Sequence, residues 1–496
     1  MTLYDTIRYP GRPYADTHPD RLAAFATFYG MRPAPPDRCR VLEVGCGDGV
    51  NLVPMAYCLP ASEFTGIDLA DGAIEAARAF AGRVGLSNVT FETLDLTRFP
   101  ASAGAFDYII AHGVYSWIPA EVRDALIALI GRHLAPQGVA FVSYNTLPGS
   151  RQRQMMWDML KFHTGDLDDP QARMSEAQTL IRLVAHGSVQ PDEYTRPIVD
   201  EAKRMESRPP WLLFHDDLSP VNEPVYFHEF VDHAARHGLQ FLAEASMVAS
   251  SYSGIAAEAR RVLATLDPIT RQQYLDFIRC RRFRQSLLCR DEIPVDRNET
   301  PDRIRSLAFT AARSVHFYPP EGATQTVTAE IAAAADDPDV ALVNVVLEVV
   351  RAAAPRALPF AATIEQLRAR PDLGPLLAAC KADAESVLLA AVQTGVINPH
   401  LVAPPLAFPP GDRPTASAVA RAELESGDLV TSMWHQPVKV DDEITRRLLP
   451  LLDGTRDRGE LLVAVGDLVG SGTSGAAALD EHLLRLARLG LLVAQA

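Results

Sequence analysis

The chain has 496 residues, of which 48% are hydrophobic and 22% charged, an ordinary composition for a globular protein. This length exceeds what one hydrophobic core usually supports, so two to four domains are expected. The net charge of −15 argues against nucleic acid or an anionic membrane as the main partner, because either would repel the chain overall. The six cysteines form no CxxC pair, which favours reduced thiols, and no metal site is predicted.

The first residues lack the apolar region of a signal peptide. The most apolar helical stretch, 340–354, contains Asn344 and Glu348 and is too short to span a bilayer. We therefore expect a cytoplasmic protein with no membrane partner. Residues 12–31, "RPYADTHPDRLAAFATFYGM", are predicted to form a helix crossing the mouth of a pocket. Tyr14 and His18 in this segment are candidate substrate-binding residues, although such tails more often lie on the surface.

Residues 40–146 alternate short apolar runs with longer helical patterns. Five strands are predicted, namely "RVLEVG", "EFTGID", "NVTFETLD", "FDYIIAHG" and "GVAFVSYN". This alternation favours a parallel α/β sheet with right-handed crossovers and helices on both faces, a Rossmann-like fold. A ligand crevice is expected at the carboxyl ends of these strands.

The rest of the chain divides into further predicted segments. Residues 151–210 contain only helical patterns and are interpreted as an insertion that forms either a lid or a pairing surface. The sheet then resumes at "LQFLAEA", and after a second helical excursion at about 255–280 its last strand is predicted at 283–290, "FRQSLLCR". The predicted domains are a catalytic domain at 1–292, a mainly helical middle domain at 293–410 and a winged-helix-like domain at 411–496, with a linker at 406–414.

The first strand leads into "VLEVGCGDG", residues 41–49. A dinucleotide site has the spacing G-x-G-x-x-G and presents a helix N-terminus to a pyrophosphate, whereas here the third glycine comes one residue early. S-adenosylmethionine carries a sulfonium, an amino group, a ribose diol and an adenine. Hydrogen-bond acceptors satisfy most of these groups, and anions attract the sulfonium. We therefore expect acidic residues around its pocket.

Acidic residues stand at or near the ends of the first three predicted strands. Asp68 suits the two ribose hydroxyls, and Asp95 suits the adenine amino group. Each acid has an alternative role in a helix cap or turn, but three of them beside a glycine turn favour a cofactor site. The predicted cofactor-binding residues are Glu43, Gly45, Cys46, Gly47, Asp68, Leu69, Asp95, Leu96 and His112. The predicted cofactor is S-adenosylmethionine, with S-adenosylhomocysteine as its product.

The fourth and fifth strands end in "HGVYSWIP" and "SYNTLPG", which should face the methyl group. The candidate catalytic residues there are His112, Tyr115, Tyr144 and Asn145, and Trp117 is a candidate substrate-binding residue. His112 is either a general base or a hydrogen-bond partner of the cofactor, and the second role is favoured. Trp117 alternatively only caps the sheet.

With these motifs the chain resembles bacterial class I S-adenosylmethionine-dependent methyltransferases that carry a methyltransferase regulatory domain. Within that group it is most similar to the rickettsial-type protein-lysine methyltransferases that act on outer-membrane proteins. The residues that carry the resemblance are "THPDRLA", "VLEVGCGDGVNLVPMA", "EFTGIDL", "FDYIIAHGVYSWIP", "SYNTLPG", "HDDLSPVNEPVYFHEFVDHA" and "QYLDFIRCRRFRQSLL". The resemblance implies a catalytic domain interrupted by a dimerisation segment, hence a homodimer, followed by a middle and a C-terminal domain. Ser150 departs from the family pattern, which has Trp there.

Three functions remain open at this point. The first is a protein-lysine N-methyltransferase with a polypeptide substrate, and the second is a small-molecule or lipid N- or O-methyltransferase. The third is a catalytically silent binding module, which the intact acids and glycines disfavour. The arginines of "RCRRFRQSLLCR" are expected to pair with acidic faces of the chain itself rather than with nucleic acid.

Overall fold

The computed structural model describes residues 10–252, 254–312, 338–470 and 472–494. Its largest sheet has seven strands in the order β3-β2-β1-β4-β5-β7-β6. Strands β1 to β5 are parallel, and β7 is antiparallel to both β5 and β6. The strands are β1 (Arg40–Val44), β2 (Glu63–Asp68), β3 (Val89–Thr93), β4 (Phe106–Ala111), β5 (Leu134–Asn145), β6 (Leu239–Glu244) and β7 (Phe283–Arg290). The five predicted strands, the resumed strand and the last strand at 283–290 are confirmed.

Both faces of this sheet are covered, as the sequence predicts. Along β4, Tyr108 and Ile110 belong to one buried cluster, whereas Ile109 and Ala111 belong to another. This alternation arises because successive strand residues point to opposite faces. The helices of this part are α1 (Pro19–Phe28), α2 (Leu52–Cys58), α3 (Asp71–Val84) and α4 (Ala120–His133).

The predicted helical insertion lies between β5 and β6. It contains α5 (Ser150–Thr164), α6 (Pro170–His186), α7 (Arg196–Glu206) and the short α8 (Pro210–Leu212), which continues into a π-helical turn, Leu213–Asp217. These helices bury a core of their own, in which Met156, Leu160 and Ile181 are almost fully buried. Four helices follow around β6 and β7, namely α9 (Phe227–Ala235), α10 (Met247–Ser250), α11 (Ala257–Leu263) and α12 (Pro268–Arg279).

The middle segment adds a small antiparallel sheet that the sequence analysis did not predict. Its strands are β8 (Ala308–Ala311), β9 (Leu358–Pro359) and β10 (Ile397–His400), and its helices are α13 (Pro338–Ala352), α14 (Phe360–Arg368), α15 (Leu373–Cys380) and α16 (Ala384–Gln393). Strands of two to four residues are too short to show an alternating pattern. Leu388 of this segment shares one buried cluster with Phe25 of α1 and Phe141 of β5. The hydrophobic core of the middle segment is therefore continuous with the core on one face of the large sheet.

The C-terminal segment has a separate hydrophobic core. It comprises α17 (Ala418–Leu424), a hairpin of β11 (Leu429–Thr431) and β12 (Pro437–Lys439), α18 (Glu443–Leu448), α19 (Arg458–Val469) and α20 (Gly472–Arg488). Residues 492 and 493 close it with isolated bridges to Ala416 and Leu406. In the part of the chain that the structure describes, no single helix meets the length and hydropathy required to cross a bilayer, and one bent pair, 458–469 with 473–488, meets them by length and composition alone.

The arginine-rich stretch around β7 is paired within the chain, as predicted. Arg284 is fully buried and bonds Glu244 and Asp276 at 2.5 and 2.7 Å. Arg281 lies 3.1 Å from Asp276, and Arg282 lies 2.7 Å from Glu201. These pairs attach β7 and the residues before it to β6, to α12 and to α7 of the insertion.

Candidate functional site

The glycine turn at the carboxyl end of β1 is shaped to admit a ligand. Gly45 and Gly47 have φ of +74° and +53°, conformations that residues with a Cβ rarely adopt. A Cβ on Gly45 would lie 2.6 Å from Val114 Cγ2, so this position must be glycine for steric reasons as well. A Cβ on Gly47 would meet no atom within 4 Å, which leaves its backbone open to a bound molecule.

Glu43 is the buried acid of the site. Its Oε1 accepts a hydrogen bond from Asn51 Nδ2 at 2.7 Å, whereas its Oε2 is buried and has no partner among the described residues. Burial raises the pKa of this carboxyl to about 8. A buried carboxylate oxygen without a partner is costly unless a cation or donor reaches it. Glu43 therefore fits the ammonium or sulfonium part of the predicted cofactor.

Asn51 is a hydrogen-bonding hub that the sequence analysis missed. Its Oδ1 accepts from the backbone N–H of Tyr14 at 2.9 Å and lies 2.9 Å from Nε2 of His435. Its Nδ2 donates to Thr17 Oγ1 at 3.1 Å as well as to Glu43. Asn51 follows the glycine turn by two residues, but no local pattern could connect it to His435, which lies 384 residues away. The C-terminal segment thus contacts the site directly.

Asp68 and Asp95 take different places at the ends of β2 and β3. Asp68 accepts from the N–H groups of Gly47 and Ala70, both at 2.9 Å, and so ties the glycine turn to β2. The Oδ1 of Asp95 accepts from the backbone and side chain of Thr97 at 2.9 and 2.8 Å. These bonds hold the pKa of Asp95 below its usual range. Asp95 therefore caps a 3-10 turn, the alternative role considered from the sequence, and these bonds use only its Oδ1.

The other predicted cofactor residues flank these acids. The thiol of Cys46 packs against Gly66, because a Cβ on Gly66 would lie 2.8 Å from Cys46 Sγ. Burial raises the pKa of this thiol far above its ordinary value, so the thiol stays protonated at neutral pH. Leu69 is 61% exposed beside Asp68, and Leu96 is half-buried after Asp95, where each can cover an adenosine.

His112 and Tyr14 form the aromatic part of the site. Their rings stack with centroids 3.8 Å apart, and the N-terminal segment that carries Tyr14 thereby lies over the end of β4. Burial, assisted by the nearby positive charge of Arg12, lowers the pKa of His112 to about 3. The Arg12 guanidinium itself lies 5.2 Å from the Tyr14 ring centroid. His112 is therefore neutral at physiological pH and a poor general base, which agrees with the favoured role as a hydrogen-bonding group.

Tyr115 and Tyr144 are placed differently from the prediction of a substrate wall. Both are almost fully buried, and they pack on Phe230 of α9. The Tyr115 hydroxyl lies 2.9 Å from His233 Nδ1, and the Tyr144 hydroxyl lies 3.0 Å from Ser286 Oγ. These contacts direct both rings into the core on the α4 side, away from Tyr14 and His112. A direct catalytic role for either tyrosine is therefore withdrawn.

The remaining predicted residues are Asn145 and Trp117, which lie at the carboxyl ends of β5 and β4, and His18, which lies in the N-terminal segment. Asn145 ends β5, where its Nδ2 donates to Asn222 Oδ1 at 2.9 Å, so the side-chain carbonyl oxygen is the group that it can offer to a substrate. Trp117 is half-buried in the 3-10 turn after β4. His18 caps α1 and its ring lies 5.3 Å from that of His435, so it supports the hub around Asn51.

Three family models match the chain. The model described as "Methyltransferase domain" matches residues 41–138, "Predicted methyltransferase regulatory domain" matches 209–290, and "PKMT, C-terminal winged helix domain" matches 412–492. The uncharacterized protein RP028 of Rickettsia prowazekii is 31% identical over 242 residues, which cover 48% of this chain and 96% of that protein. The uncharacterized protein RP789 of the same organism is 34% identical over 304 residues, 61% of this chain and 55% of the relative, so the chain spans about half of RP789.

The chain belongs to the class I S-adenosylmethionine-dependent methyltransferases that carry a methyltransferase regulatory domain. Its fold is similar to that of PKMT2 from Rickettsia typhi, solved in complex with AdoHcy, with a TM-score of 0.81 and 23% identity over 98% of this chain and 100% of that one. The winged-helix prediction for the C-terminal segment is confirmed.

The residues present fit the cofactor of this family. The open Gly47 backbone and the unpartnered Oε2 of Glu43 supply space and an acceptor for the aminoacyl part. Asp68 lies at the end of β2, where a carboxylate can accept from ribose hydroxyls. Arg12, whose guanidinium lies 5.2 Å from the Tyr14 ring centroid, is a cation that suits the anionic carboxylate of the cofactor. S-adenosylmethionine is the cofactor of this site.

Proposed function

We propose that the chain is a protein-lysine N-methyltransferase. The observation that carries this proposal is the C-terminal winged helix of the PKMT type, matched at 412–492, whose β-hairpin places His435 against Asn51. A separate folded segment that contacts the cofactor end of the sheet suits an enzyme that must hold a polypeptide near that end. The similarity in fold to PKMT2 over the whole chain supports the same proposal.

The chemistry needs a deprotonated amine in line with the methyl group and its leaving sulfur. The bound cofactor supplies an electrophilic methyl group on a sulfonium. A free lysine amine has a pKa of about 10.4, and both burial and the neighbouring positive charge favour its neutral form. The protein therefore needs to orient an amine rather than to deprotonate it with a strong base, which fits a His112 of pKa about 3.

Two groups of the site can orient that amine. The carbonyl oxygen of Asn145 is an acceptor, because its amide nitrogen is held by Asn222. Tyr14 covers the site from the N-terminal segment and brings a hydroxyl on a ring that His112 holds by stacking. Closure of this segment over the glycine turn excludes water, which strengthens polar contacts inside the site.

The proposal is tested by locating the transferred methyl group. The purified chain is incubated with methyl-labelled cofactor and a panel of proteins that includes outer-membrane proteins, together with a small-molecule extract. We expect label in protein, recovered as methyl-lysine after acid hydrolysis. The Asn145→Ala variant should lower this turnover, whereas Asn298→Ala, which changes an exposed asparagine outside the site, serves as the matched control. Label confined to small molecules contradicts the proposal.

A further inference from the structure

Three side chains outside the cofactor site converge between α4 and α9. Asp124 lies on α4, His233 lies on α9, and His237 follows four residues later, just past the end of α9. The Nε2 atoms of His233 and His237 lie 3.2 and 2.8 Å from the same oxygen, Asp124 Oδ1. The donor atoms of all three residues lie within 4.8 Å of one another. Two imidazole nitrogens therefore converge on one carboxylate oxygen.

We propose that Asp124, His233 and His237 bind a zinc ion, with water as the fourth ligand. Zinc takes four ligands in tetrahedral geometry and accepts histidine nitrogen and carboxylate oxygen at about 2.1 Å. Ligand atoms in such a site are about 3.4 Å apart, by the geometry of a tetrahedron with these bonds. The observed nitrogen–oxygen distances are shorter by only a few tenths of an ångström, so side-chain rotation can admit the ion.

Tyr115 holds the ring of His233 in the orientation that coordination needs. Its hydroxyl lies 2.9 Å from Nδ1, so the opposite nitrogen, Nε2, points at Asp124. Histidines that bind metals usually donate their second ring N–H to an acceptor such as a carboxylate, a backbone carbonyl or water, and a tyrosine oxygen can serve as that acceptor. Without metal the tyrosine donates to Nδ1. With zinc on Nε2, the ring proton resides on Nδ1 and is donated to the tyrosine oxygen, so no net proton is lost from the ring. The zinc site would give a role to the buried hydroxyl of Tyr115, which the methyl transfer does not use.

The surroundings allow an ion to enter from solvent. The side chain of Asp124 is 57% exposed and that of His237 is 21% exposed. Arg123 pairs with Glu223, which offsets its charge. A bound zinc ion would join α4 to α9 and thereby fix the turn at Tyr115, three residues after His112.

This site departs from the sequence-based prediction of no metal. His233 and His237 have the i, i+4 spacing of a metal-binding pair, but Asp124 lies 109 residues before His233 and no pattern links them. The pair alone would be weak support, because two histidines at this spacing are often only surface residues. The third donor and the tyrosine behind the first ring make the arrangement specific.

The test uses the full chain, stripped of metal with a chelator and titrated with ZnCl₂ against a chromophoric zinc competitor. We expect one high-affinity zinc ion per chain, with MgCl₂ giving no binding at the same concentrations because magnesium prefers oxygen ligands. His237→Ala and Asp124→Asn should each weaken zinc binding more than about 10-fold, and Tyr115→Phe should weaken it less, because the tyrosine only orients His233 and does not touch the ion. His186→Ala, which alters an exposed histidine 2.8 Å from Glu206, is the matched control and should bind as the wild type does.

X-ray absorption of the zinc-loaded chain gives a second readout. A first shell of nitrogen and oxygen only, lost in His237→Ala, supports the proposal. Sulfur in the first shell would locate the ion at a cysteine such as the exposed Cys280 and overturn the proposal. Equal zinc affinity of the wild type and His237→Ala, with both variants folded by circular dichroism, would overturn it too, as would absence of zinc binding by the wild type.

Discussion

His435 lies in the hairpin of the C-terminal domain, and its Nε2 is 2.9 Å from Asn51 Oδ1, behind the glycine turn that follows β1. The Asn51 oxygen accepts from the Tyr14 N–H, so the His435 contact also requires a donor, and the His435 ring is neutral with its proton on Nε2. Burial lowers the pKa of His435 far below its ordinary value, which agrees with a neutral ring. This contact fixes which way the Asn51 amide faces and hence which oxygen of Glu43 stays available to the cofactor.

The first prediction concerns this positioning role of His435. His435 has a φ of +55°, a conformation that asparagine tolerates better than most residues. His435→Asn therefore keeps the turn but is too short to reach Asn51, and we expect S-adenosylhomocysteine to bind about 10-fold more weakly, the scale of one buried hydrogen bond. His435→Gln, whose amide can donate in place of Nε2, should recover most of the affinity.

The measurement is calorimetric titration of both variants beside His482→Ala, a histidine change elsewhere in the same domain. Thermal unfolding of each variant separates loss of the contact from loss of the domain. Unchanged affinity of a folded His435→Asn chain would show that Asn51 keeps its orientation without help from the C-terminal domain.

The second prediction is a pH dependence of cofactor affinity set by Glu43. Burial raises its pKa to about 8 in the ligand-free chain, and a bound cation lowers it by favouring the carboxylate. Below pH 8 binding therefore releases a proton, so the affinity rises as the pH increases towards about 8 and levels off above it. Titrations from about pH 6 to 9, in two buffers of different ionisation enthalpy, measure both the slope and the proton released.

Glu43→Gln is the control for this slope. The variant should bind more weakly and lose the Glu43 part of the pH dependence, while any slope that remains belongs to the amino group of the ligand. The ligand-free variant should also be more stable than the wild type at neutral pH. A carboxyl whose pKa is raised on folding stabilises fully below its unfolded pKa, near 4.5, and this contribution is lost as the pH rises through about 8. Identical slopes for the two proteins would contradict the assignment.

The third prediction compares the acids at the ends of β2 and β3. Asp68→Ala removes both the expected ribose contact and the bond to the Gly47 N–H, so S-adenosylhomocysteine binding should weaken by about 2 kcal/mol or more, as for a lost charge-assisted hydrogen bond. Asp95→Ala should cost less, because part of that carboxylate serves Thr97. Calorimetry gives both values. Equal losses, or tighter binding of a nicotinamide dinucleotide by the wild type, would contradict this reading of the site.

The sheet and its acids were predictable because they are local in sequence. Each strand of β1 to β5 carries its own apolar run, and the glycine turn, Asp68 and Asp95 each lie at the end of a strand or within two residues of it. The orientation of Tyr115 was not predictable, since it depends on whether a 3-10 turn after β4 directs the ring to α9 or to the cofactor. The Asn51–His435 contact depends on how two domains dock, which no spacing in the sequence encodes.

The fourth prediction is that the chain forms a homodimer through the insertion. Along α5, Met155, Met159 and Phe162 recur at helical spacing and are 45%, 37% and 92% exposed, while Leu183 of α6 is 65% exposed. The helices already bury Met156 and Leu160 in a core of their own. The exposed stripe is therefore available to pack against a second copy of the chain. Light scattering should give twice the monomer mass at tens of micromolar, and Met159→Glu combined with Phe162→Glu should give the monomer. Val463→Glu, at another exposed apolar residue, is the matched control. A monomeric wild type would contradict the prediction.

The last prediction separates the hydroxyl of Tyr14 from its ring. Tyr14→Phe keeps the stack on His112, whose centroid lies 3.8 Å away, and removes only the group expected to orient the amine. Turnover of a lysine substrate should fall about 3- to 10-fold, which corresponds to about 1 kcal/mol for one hydrogen bond. The affinity for S-adenosylhomocysteine should hardly change. Tyr14→Ala also removes the stack, so both turnover and cofactor affinity should fall. Tyr57→Phe, a tyrosine of α2 that bonds Ala418 instead, should leave both unchanged. Equal effects of Tyr14→Phe on affinity and turnover would place the hydroxyl on the cofactor rather than on the reacting amine.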